Sequence, residues 1–383
     1  MATASIVAVL GLSGFILYVL FLYPLILGVI AKRRSRAVHR ASFHPSVSVI
    51  IAVRNGAEFL REKLESILAL DYPRNLVEII VVSDGSTDRT DEIAASFSGQ
   101  GVRLLHLPAC GKSAALNAGI DAASGEILVL TDVRQQLARD SLALLMQNFA
   151  DPEVGAASAE LVIRKGATEA EIQTGLYWKY EFAIRVRLSA LDSIFGATGA
   201  YYALRRELAV PIPREALLDD MYLPLAAFFR EYRLVVDPRA RMFDYPTGLK
   251  SEFRRKVRTL AGNYQIMRWY PALLSRSNRM LFHFVSYKLA RLLLPFAMLG
   301  VLLASFGLPA PWRDVLIATQ ALFYGLALAD LLVPEGKLKK LTSPAATFVT
   351  LMAAAFCAVS VFMAPSAKLW NPTRVSATQS KPE

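Results

Sequence analysis

The sequence is poor in cysteine, in charge and in metal-binding patterns. It has 2 cysteines, Cys110 and Cys357, and charged residues make up 20% of its 383 residues. Two cysteines cannot build a disulfide framework, and no Cys or His spacing typical of a zinc site occurs. Since 54% of the residues are apolar, the chain is not an intrinsically disordered polypeptide either.

The apolar residues are concentrated in runs that contain no charge. These runs are residues 5–31, 292–308, 315–329 and 341–367. A bilayer core about 30 Å thick needs about 20 apolar residues of helix to cross it. The runs predict four membrane spans, one over residues 1–31 and three within residues 281–367.

The net charge of +11 is placed beside these runs. Basic residues dominate segments 32–40 and 250–279, which both border apolar segments. Basic flanks of membrane spans stay on the cytoplasmic side and face anionic lipid. Because no nucleic-acid-binding signature accompanies this charge, we expect the partner to be a lipid bilayer and not a nucleic acid.

Between the first run and the others, short apolar strands alternate with helical patterns. The predicted strands are residues 47–53, 77–82, 102–107 and 126–131. Strict alternation of this kind predicts an α/β fold with a mostly parallel sheet. The predicted organisation is therefore a membrane helix (1–31), a cytosolic domain (45–250), an amphipathic interfacial helix (251–280), three spans (281–367) and a tail (368–383).

Parallel sheets bind ligands beyond the carboxyl ends of their strands. That rule selects Arg54, Asn55, Asp84 and Asp132. Asp84, in VVSDGSTDRT, suits a nucleoside base or ribose, although an Asx turn or helix cap is the simpler explanation of the motif alone. Asp132, in LVLTDVRQQ, suits a divalent cation beside a diphosphate, and a solvated strand-end carboxylate is the alternative.

Three further motifs carry candidate chemistry. Lys112 opens the helix of CGKSAALNAG and suits an anion, unless the motif is only a well-made helix start. In LLDDMYLP, Asp219 and Asp220 are a doubly acidic helix cap or a pair of which one acts as general base. NYQIMRWYP carries Gln265, Arg268 and Trp269, which suit a diphosphate and a sugar or, alternatively, a membrane interface.

Taken in order, these motifs resemble the membrane-bound family-2 glycosyltransferases, which include hyaluronan, cellulose and poly-N-acetylglucosamine synthases. The resemblance covers about residues 45–300, and QIMRW, which matches Gln-x-x-Arg-Trp, is its most specific element. It implies a GT-A-like domain that binds a nucleotide sugar, with a UDP-sugar expected as donor. It also implies an inverting transfer at the cytosolic face of the cell membrane.

The resemblance also assigns roles to the candidate residues. Asp220 would be the catalytic base, while Arg54, Asn55, Asp84, Lys112 and Asp132 would bind the donor. Asp219, Gln265, Arg268 and Trp269 would line the diphosphate and acceptor end. Asp132 would hold Mg²⁺ or Mn²⁺, but Arg134 replaces the second Asp of the family's Asp-x-Asp motif, so either other ligands complete the metal site or Arg134 replaces part of its charge.

Several functions remain open at this stage. The first is extension of a β-linked polysaccharide, and the second is a single transfer to a lipid acceptor. A third is a catalytically inactive scaffold or transport subunit, which only the altered Asp-x-Asp motif supports. A Rossmann oxidoreductase is disfavoured because no Gly-x-Gly-x-x-Gly follows the first strand.

Overall fold

The computed structural model describes residues 2–163, 168–245 and 249–363. Within them the chain divides into two compact units. The α/β unit comprises residues 34–163 and 182–245, and the helical unit comprises residues 2–33, 168–181 and 249–363. The predicted tail, residues 368–383, lies outside the described residues.

The helices and strands have the following bounds. The α-helices are α1 (Ala2–Leu17), α2 (Tyr23–Arg33), α3 (Ala57–Leu68), α4 (Thr90–Ser96), α5 (Lys112–Ala122), α6 (Ser141–Met146), α7 (Glu169–Leu191), α8 (Asp219–Phe228), α9 (Leu249–Trp269), α10 (Leu281–Phe284), α11 (Ala290–Ser305), α12 (Trp312–Ala329) and α13 (Lys339–Cys357). The strands are β1 (Val47–Val53), β2 (Val77–Asp84), β3 (Val102–Leu107), β4 (Ile127–Thr131), β5 (Gln136–Leu137), β6 (Val154–Ile163), β7 (Tyr201–Arg205) and β8 (Arg233–Asp244).

The α/β unit is built on an eight-stranded sheet in the order β3-β2-β1-β4-β7-β6-β8-β5. Strands β1 to β4 pair in parallel, as do β6 and β8, whereas β7 runs antiparallel to both β4 and β6 and β5 runs antiparallel to β8. The predicted α/β fold with a mostly parallel sheet is confirmed. Strands β6 and β8 were not predicted, because Ala and Ser dominate the first half of β6, and Pro238 and three arginines interrupt the apolar pattern of β8.

The centre of this sheet is fully buried. Val49, Ile50 and Ile51 of β1 are fully buried, as expected of a parallel strand covered on both faces. Each such side chain contributes about 1.5–3 kcal/mol through burial. The register pairs Val53 with Ser83 and Asp84 with Leu107, so the carboxyl ends of β1, β2 and β3 meet at one edge of the sheet.

Among the described residues, the helical unit has three helices long and apolar enough to cross a membrane, and the fourth predicted span stays a prediction. They are Ala2–Arg33, Leu281–Ser305 and Lys339–Phe362. The remaining predicted span corresponds to α12, whose first turn contains Trp312, Arg313 and Asp314. The apolar run of α12 is therefore shorter than the about 20 residues that a full crossing needs.

The basic segment after the first span does not face lipid as a whole. Arg36 forms ion pairs with Glu153 and Asp192, and Arg40 lies 3.4 Å from Asp237. These partners are carboxylates of the α/β unit, so they take two of the charges that we expected at the headgroups. Lys32, Arg33 and Arg34 are exposed and keep the predicted position beside the span.

The helical unit has a charged cluster of its own around Glu181. This carboxylate accepts hydrogen bonds from Tyr177 and Tyr287 and pairs with Arg291. The ammonium of Lys256 lies 4.4 Å from the centre of the Tyr177 ring. Burial lowers the pKa of Lys256 to about 8.

Candidate active site

The turn after β2 is held by Asp84. Its carboxylate is 5% exposed and accepts backbone N–H groups from Cys110, at 2.6 Å, and from Gly111, at 3.0 Å. Gly85 adopts φ +61°, and a Cβ there would lie 2.6 Å from the backbone nitrogen of Ala109. Asp84 therefore fixes the loop that leads into α5, and contact with a nucleoside stays a prediction.

Arg54 and Asn55, which follow β1, differ in their contacts. Asn55 adopts φ +52°, and its amide oxygen accepts the backbone N–H of Thr87 at 2.8 Å. It thereby joins the loop after β1 to the loop after β2, which makes it a residue that shapes the site. Arg54 is exposed beside it, and its predicted donor contact stays a prediction.

Lys112 contacts a carboxylate that follows β4 and another at the start of α8. It is the first residue of α5, and its Nζ lies 3.2 Å from Oδ1 of Asp132 and 3.3 Å from Oδ1 of Asp219. Asp132 follows β4, and Asp219 begins α8. Since their side chains are 42% and 12% exposed, one carboxylate is open to solvent and the other lies deeper.

Asp220 lies beside this cluster, against Gly199. A Cβ on Gly199 would lie 2.7 Å from Oδ2 of Asp220, so any larger residue there would displace the carboxylate. The backbone oxygen of Asp220 also accepts the N–H of Ala197 at 2.7 Å. Both contacts place the predicted base against the segment that leads into β7.

Tyr202 of β7 lies in the sheet and is affected by the same carboxylates. Its side chain is fully buried, and burial raises its pKa well above the usual value, with further increases from Asp219, Asp220 and Asp132. All three carboxylates therefore lie near the Tyr202 phenol. Tyr202 was not predicted as a site residue, although it stands in an aromatic pair on a strand-like stretch of the sequence.

Arg134 points to a different partner. Its guanidinium makes two hydrogen bonds with the carboxylate of Asp244, at 2.9 and 2.6 Å. Gln135 donates to the same carboxylate at 2.9 Å. Because Asp244 already neutralises Arg134, the arginine is poorly placed to replace a metal ion beside Asp132.

The donor set around Lys112 fits a divalent cation only in part. Mg²⁺ and Mn²⁺ prefer hard oxygen ligands, which Asp132 and Asp219 supply. Within residues 2–163, 168–245 and 249–363, no group of three His, Cys, Asp or Glu side chains is arranged to hold a metal. A bound cation would therefore need ligands from a diphosphate and from water in addition to these carboxylates.

The Gln-x-x-Arg-Trp segment lies at the end of α9, in the helical unit. Gln265 is buried, Trp269 is half-buried and Arg268 is exposed. The helix ends here because Pro271 follows Tyr270, so it is shorter than the predicted interfacial helix of residues 251–280. The structure thus unites Asp84, Lys112, Asp132, Asp219 and Asp220 within the α/β unit, and the roles of the α9 residues stay predictions.

The match to a protein-family model covers the segment that forms this edge of the sheet. Residues 48–210, which contain Asp84, Lys112 and Asp132, match the model of glycosyl transferase family 2. This segment is a family-2 glycosyltransferase domain. The resemblance predicted from the motifs is confirmed.

Curated relatives of the family-2 domain include two poly-β-1,6-N-acetyl-D-glucosamine synthases. The protein of Staphylococcus epidermidis is 25% identical over 229 residues, and that of Staphylococcus aureus strain COL is 24% identical over the same length. Each match covers 58% of this chain and 55% of the synthase. The chain thus spans about half the length of these relatives.

A solved structure shares the fold over nearly the whole chain. It is the mannosyltransferase PcManGT of Pyrobaculum calidifontis, in complex with GDP-Man and Mn²⁺. The TM-score is 0.72 at 24% identity, and the match covers 93% of this chain and 98% of that one. The GT-A-like fold expected for the α/β unit is confirmed.

Proposed function

We propose that this chain transfers a sugar from a nucleoside diphosphate sugar to an acceptor hydroxyl, with inversion at the anomeric carbon. The observation that carries the proposal is the Lys112 ammonium, which lies within 3.3 Å of both Asp132 and Asp219. This group lies at the carboxyl edge of a parallel sheet, where ligands bind. The ammonium can bind oxygens of a diphosphate, and the carboxylates can hold a cation that offsets more of its negative charge.

The reaction needs one base and one place for the charge of the leaving group. The acceptor oxygen forms a bond to the anomeric carbon, the bond from that carbon to the diphosphate oxygen breaks, and the acceptor proton passes to Asp220. The negative charge develops on the departing diphosphate, beside Lys112. A single carboxylate base suffices, unlike in a hydrolase with its pair of carboxyl groups.

Asp132 and Asp219 would hold a divalent cation together with oxygens of the donor. When bound, Mg²⁺ or Mn²⁺ would neutralise charge on the diphosphate. We propose a metal requirement because Arg134 is committed to Asp244 and cannot supply that charge. Chelation with EDTA should then suppress transfer, and added Mn²⁺ or Mg²⁺ should restore it.

The acceptor that we favour is a growing β-linked polysaccharide, since the curated relatives are named as polysaccharide synthases. A UDP-sugar is the donor that we favour. A single transfer to a lipid is the second candidate, and it gains support from the number of spans. Three candidate membrane helices among the described residues make a smaller passage for a polymer than the four that the sequence predicted.

We place the catalytic unit on the cytoplasmic side of the cell membrane. Lys32, Arg33 and Arg34 follow the first span and are exposed, as cytoplasmic flanks are. Gln265, Arg268 and Trp269 are proposed to contribute to the diphosphate and acceptor end on the strength of the motif alone. Arg268→Ala tests that role through the loss of transfer.

The proposal is tested with the full chain purified in lipid nanodiscs. A panel of UDP- and GDP-sugars is supplied, and released nucleoside diphosphate is measured with and without EDTA. We expect release with one donor class, dependent on the cation. A ladder of products on a gel indicates a polysaccharide, and one lipid-mobile product indicates single transfer. No release with any donor in the panel contradicts the proposal.

A further inference from the structure

Lys63 is a buried lysine that the proposed reaction does not yet use. It lies on α3 among Leu60, Leu64 and Ile67, and its side chain is 1% exposed. A lysine on the apolar face of a helix loses its hydration and needs hydrogen-bond partners in exchange. Its position is therefore set by what its ammonium contacts.

The two contacts of Lys63 lie on either side of Asp132. Its Nζ donates to Oγ1 of Thr131 and to the backbone oxygen of Gln135, each at 2.7 Å. Thr131 ends β4 and Gln135 precedes β5, so the ammonium joins both ends of the turn that bears Asp132. The charge of Asp132 also acts on Lys63, and it partly opposes the effect of burial on the lysine's pKa.

Thr131 connects Lys63 to the segment that precedes β7. Its hydroxyl accepts from Lys63 and donates to the backbone oxygen of Ala200 at 2.8 Å. The same oxygen accepts the N–H of Asp132 at 3.2 Å. Ala200 follows Gly199, against which Asp220 packs. One ammonium is thus linked through short contacts to the segments that hold Asp132 and Asp220.

We propose that Lys63 is a positioning residue that sets the separation of Asp132 and Asp220 through Thr131 and Ala200. This inference rests on the proposed transfer reaction, in which the two carboxylates act on opposite sides of one bond. A displacement of about 1 Å at a reacting centre can cost about 10²-fold in rate. Lys63 touches no substrate in this scheme and acts only through the two turns.

The test compares Lys63→Met and Thr131→Val with a matched control, Ser48→Ala. Ser48 is also fully buried and bonds to Glu78 and to the N–H of Gly125, at the opposite end of the sheet. All three variants lose buried polar contacts, but only the first two lie near the site. The kcat, the donor KM and the melting temperature are measured for each full-length variant.

We expect Lys63→Met to lower kcat by about 10²-fold, with a smaller change in the donor KM. Thr131→Val should reproduce most of that loss, and the double variant should lose no more than Lys63→Met, because both changes break one chain of contacts. Thr131→Ser retains the hydroxyl and should recover kcat relative to Thr131→Val. Ser48→Ala should lower the melting temperature without lowering kcat.

The inference is overturned if Lys63→Met keeps kcat within twofold of wild type, or if Ser48→Ala loses as much kcat as Lys63→Met does. If Lys63→Met does not fold, Thr131→Val against Thr131→Ser decides. A wild-type protein inactive with all donors contradicts the proposed function instead. In that event, crystal structures of wild type and Lys63→Met decide, since an unchanged separation of Asp132 and Asp220 contradicts a positioning role.

Discussion

The two units of this chain place apolar side chains in opposite ways. In the α/β unit, Val49 and Ile80 are fully buried. In the helical unit, Leu10 is 68% exposed and Leu332 is 88% exposed. Exposed apolar surface on this scale marks contact with lipid or with another protein, whereas the buried strands stabilise a fold in water. Similar residues thus build a buried core in one unit and an exposed apolar surface in the other.

The units also differ in how they treat charge. The α/β unit gathers carboxylates from separate elements around Lys112, and this arrangement leaves Asp132 substantially exposed. The helical unit neutralises Glu181 with Arg291 and tyrosine hydroxyls, and both charged side chains are largely buried. An open, charged cluster suits a ligand, while a closed one suits packing.

The largest expected effect is on catalysis, from Asp220→Asn. Loss of the general base should lower kcat by about 10²–10⁴-fold while nucleotide-sugar binding persists. Transfer of a radiolabelled sugar and calorimetric donor binding measure the two parts. Asp71→Asn is the control, because that carboxylate is 58% exposed and pairs only with Arg139 among the ion pairs described. Full transfer activity in Asp220→Asn would remove Asp220 from the mechanism.

The next effect is on donor affinity, from Lys112→Met. A hydrogen bond to a charged group contributes about 1.5–3 kcal/mol, which corresponds to roughly 10–150-fold in affinity. We expect the donor KM to rise within that range because the diphosphate loses its cationic partner. Lys179→Met, in the helical unit, is the matched change and should leave the KM unaltered. An equal rise of the donor KM in both variants would contradict a specific role of Lys112 in donor binding.

A charge placed on the helices separates spans from other helices. Leu10 of α1 and Leu322 of α12 are 68% and 66% exposed, so Leu10→Arg and Leu322→Arg are closely matched. At a bilayer centre arginine costs about 2.5–3.5 kcal/mol. We expect Leu10→Arg to reduce membrane insertion strongly and Leu322→Arg to reduce it less, as measured by protease protection in membranes. Equal losses would make α12 a fourth span.

The last expected effect is the pH dependence of stability that two buried lysines cause. Burial lowers the pKa of Lys63 to about 7, whereas an unfolded lysine titrates near 10.5. Between these values the unfolded chain binds more protons, so stability rises with pH by up to about 1.4 kcal/mol per pH unit. We expect the melting temperature of wild type, relative to Lys63→Met, to increase from pH 7 to pH 10.

Lys256 provides the comparison in the helical unit. Its pKa is lowered to about 8, so the relative gain of wild type over Lys256→Met should begin about one pH unit later. Melting curves at half-unit pH intervals distinguish the two onsets. A difference that falls as pH rises, for either lysine, would contradict the sign of its pKa shift.

Much of the α/β unit was predictable because local periodicity determines it. Each of the four predicted strands lies within two residues of an observed strand at both ends. Asp84 ends β2 and Asp132 follows β4, so the rule for parallel sheets places both at the same edge of the sheet. Asp219 begins a helix, and that rule did not select it. Strands β6 and β8 were missed because their polar and small residues hide the alternating pattern.

The sequence by itself determined which residues stand at the strand ends and which segments are apolar enough for a membrane, since both depend on neighbours in the chain. Only the tertiary structure decided that Arg134 belongs to Asp244 and that Lys63 ties Thr131 to Gln135. Those partners are far apart along the chain, and no pattern of spacing encodes them. They depend on packing between elements, which brings a buried charge within reach of the oxygens that can hold it.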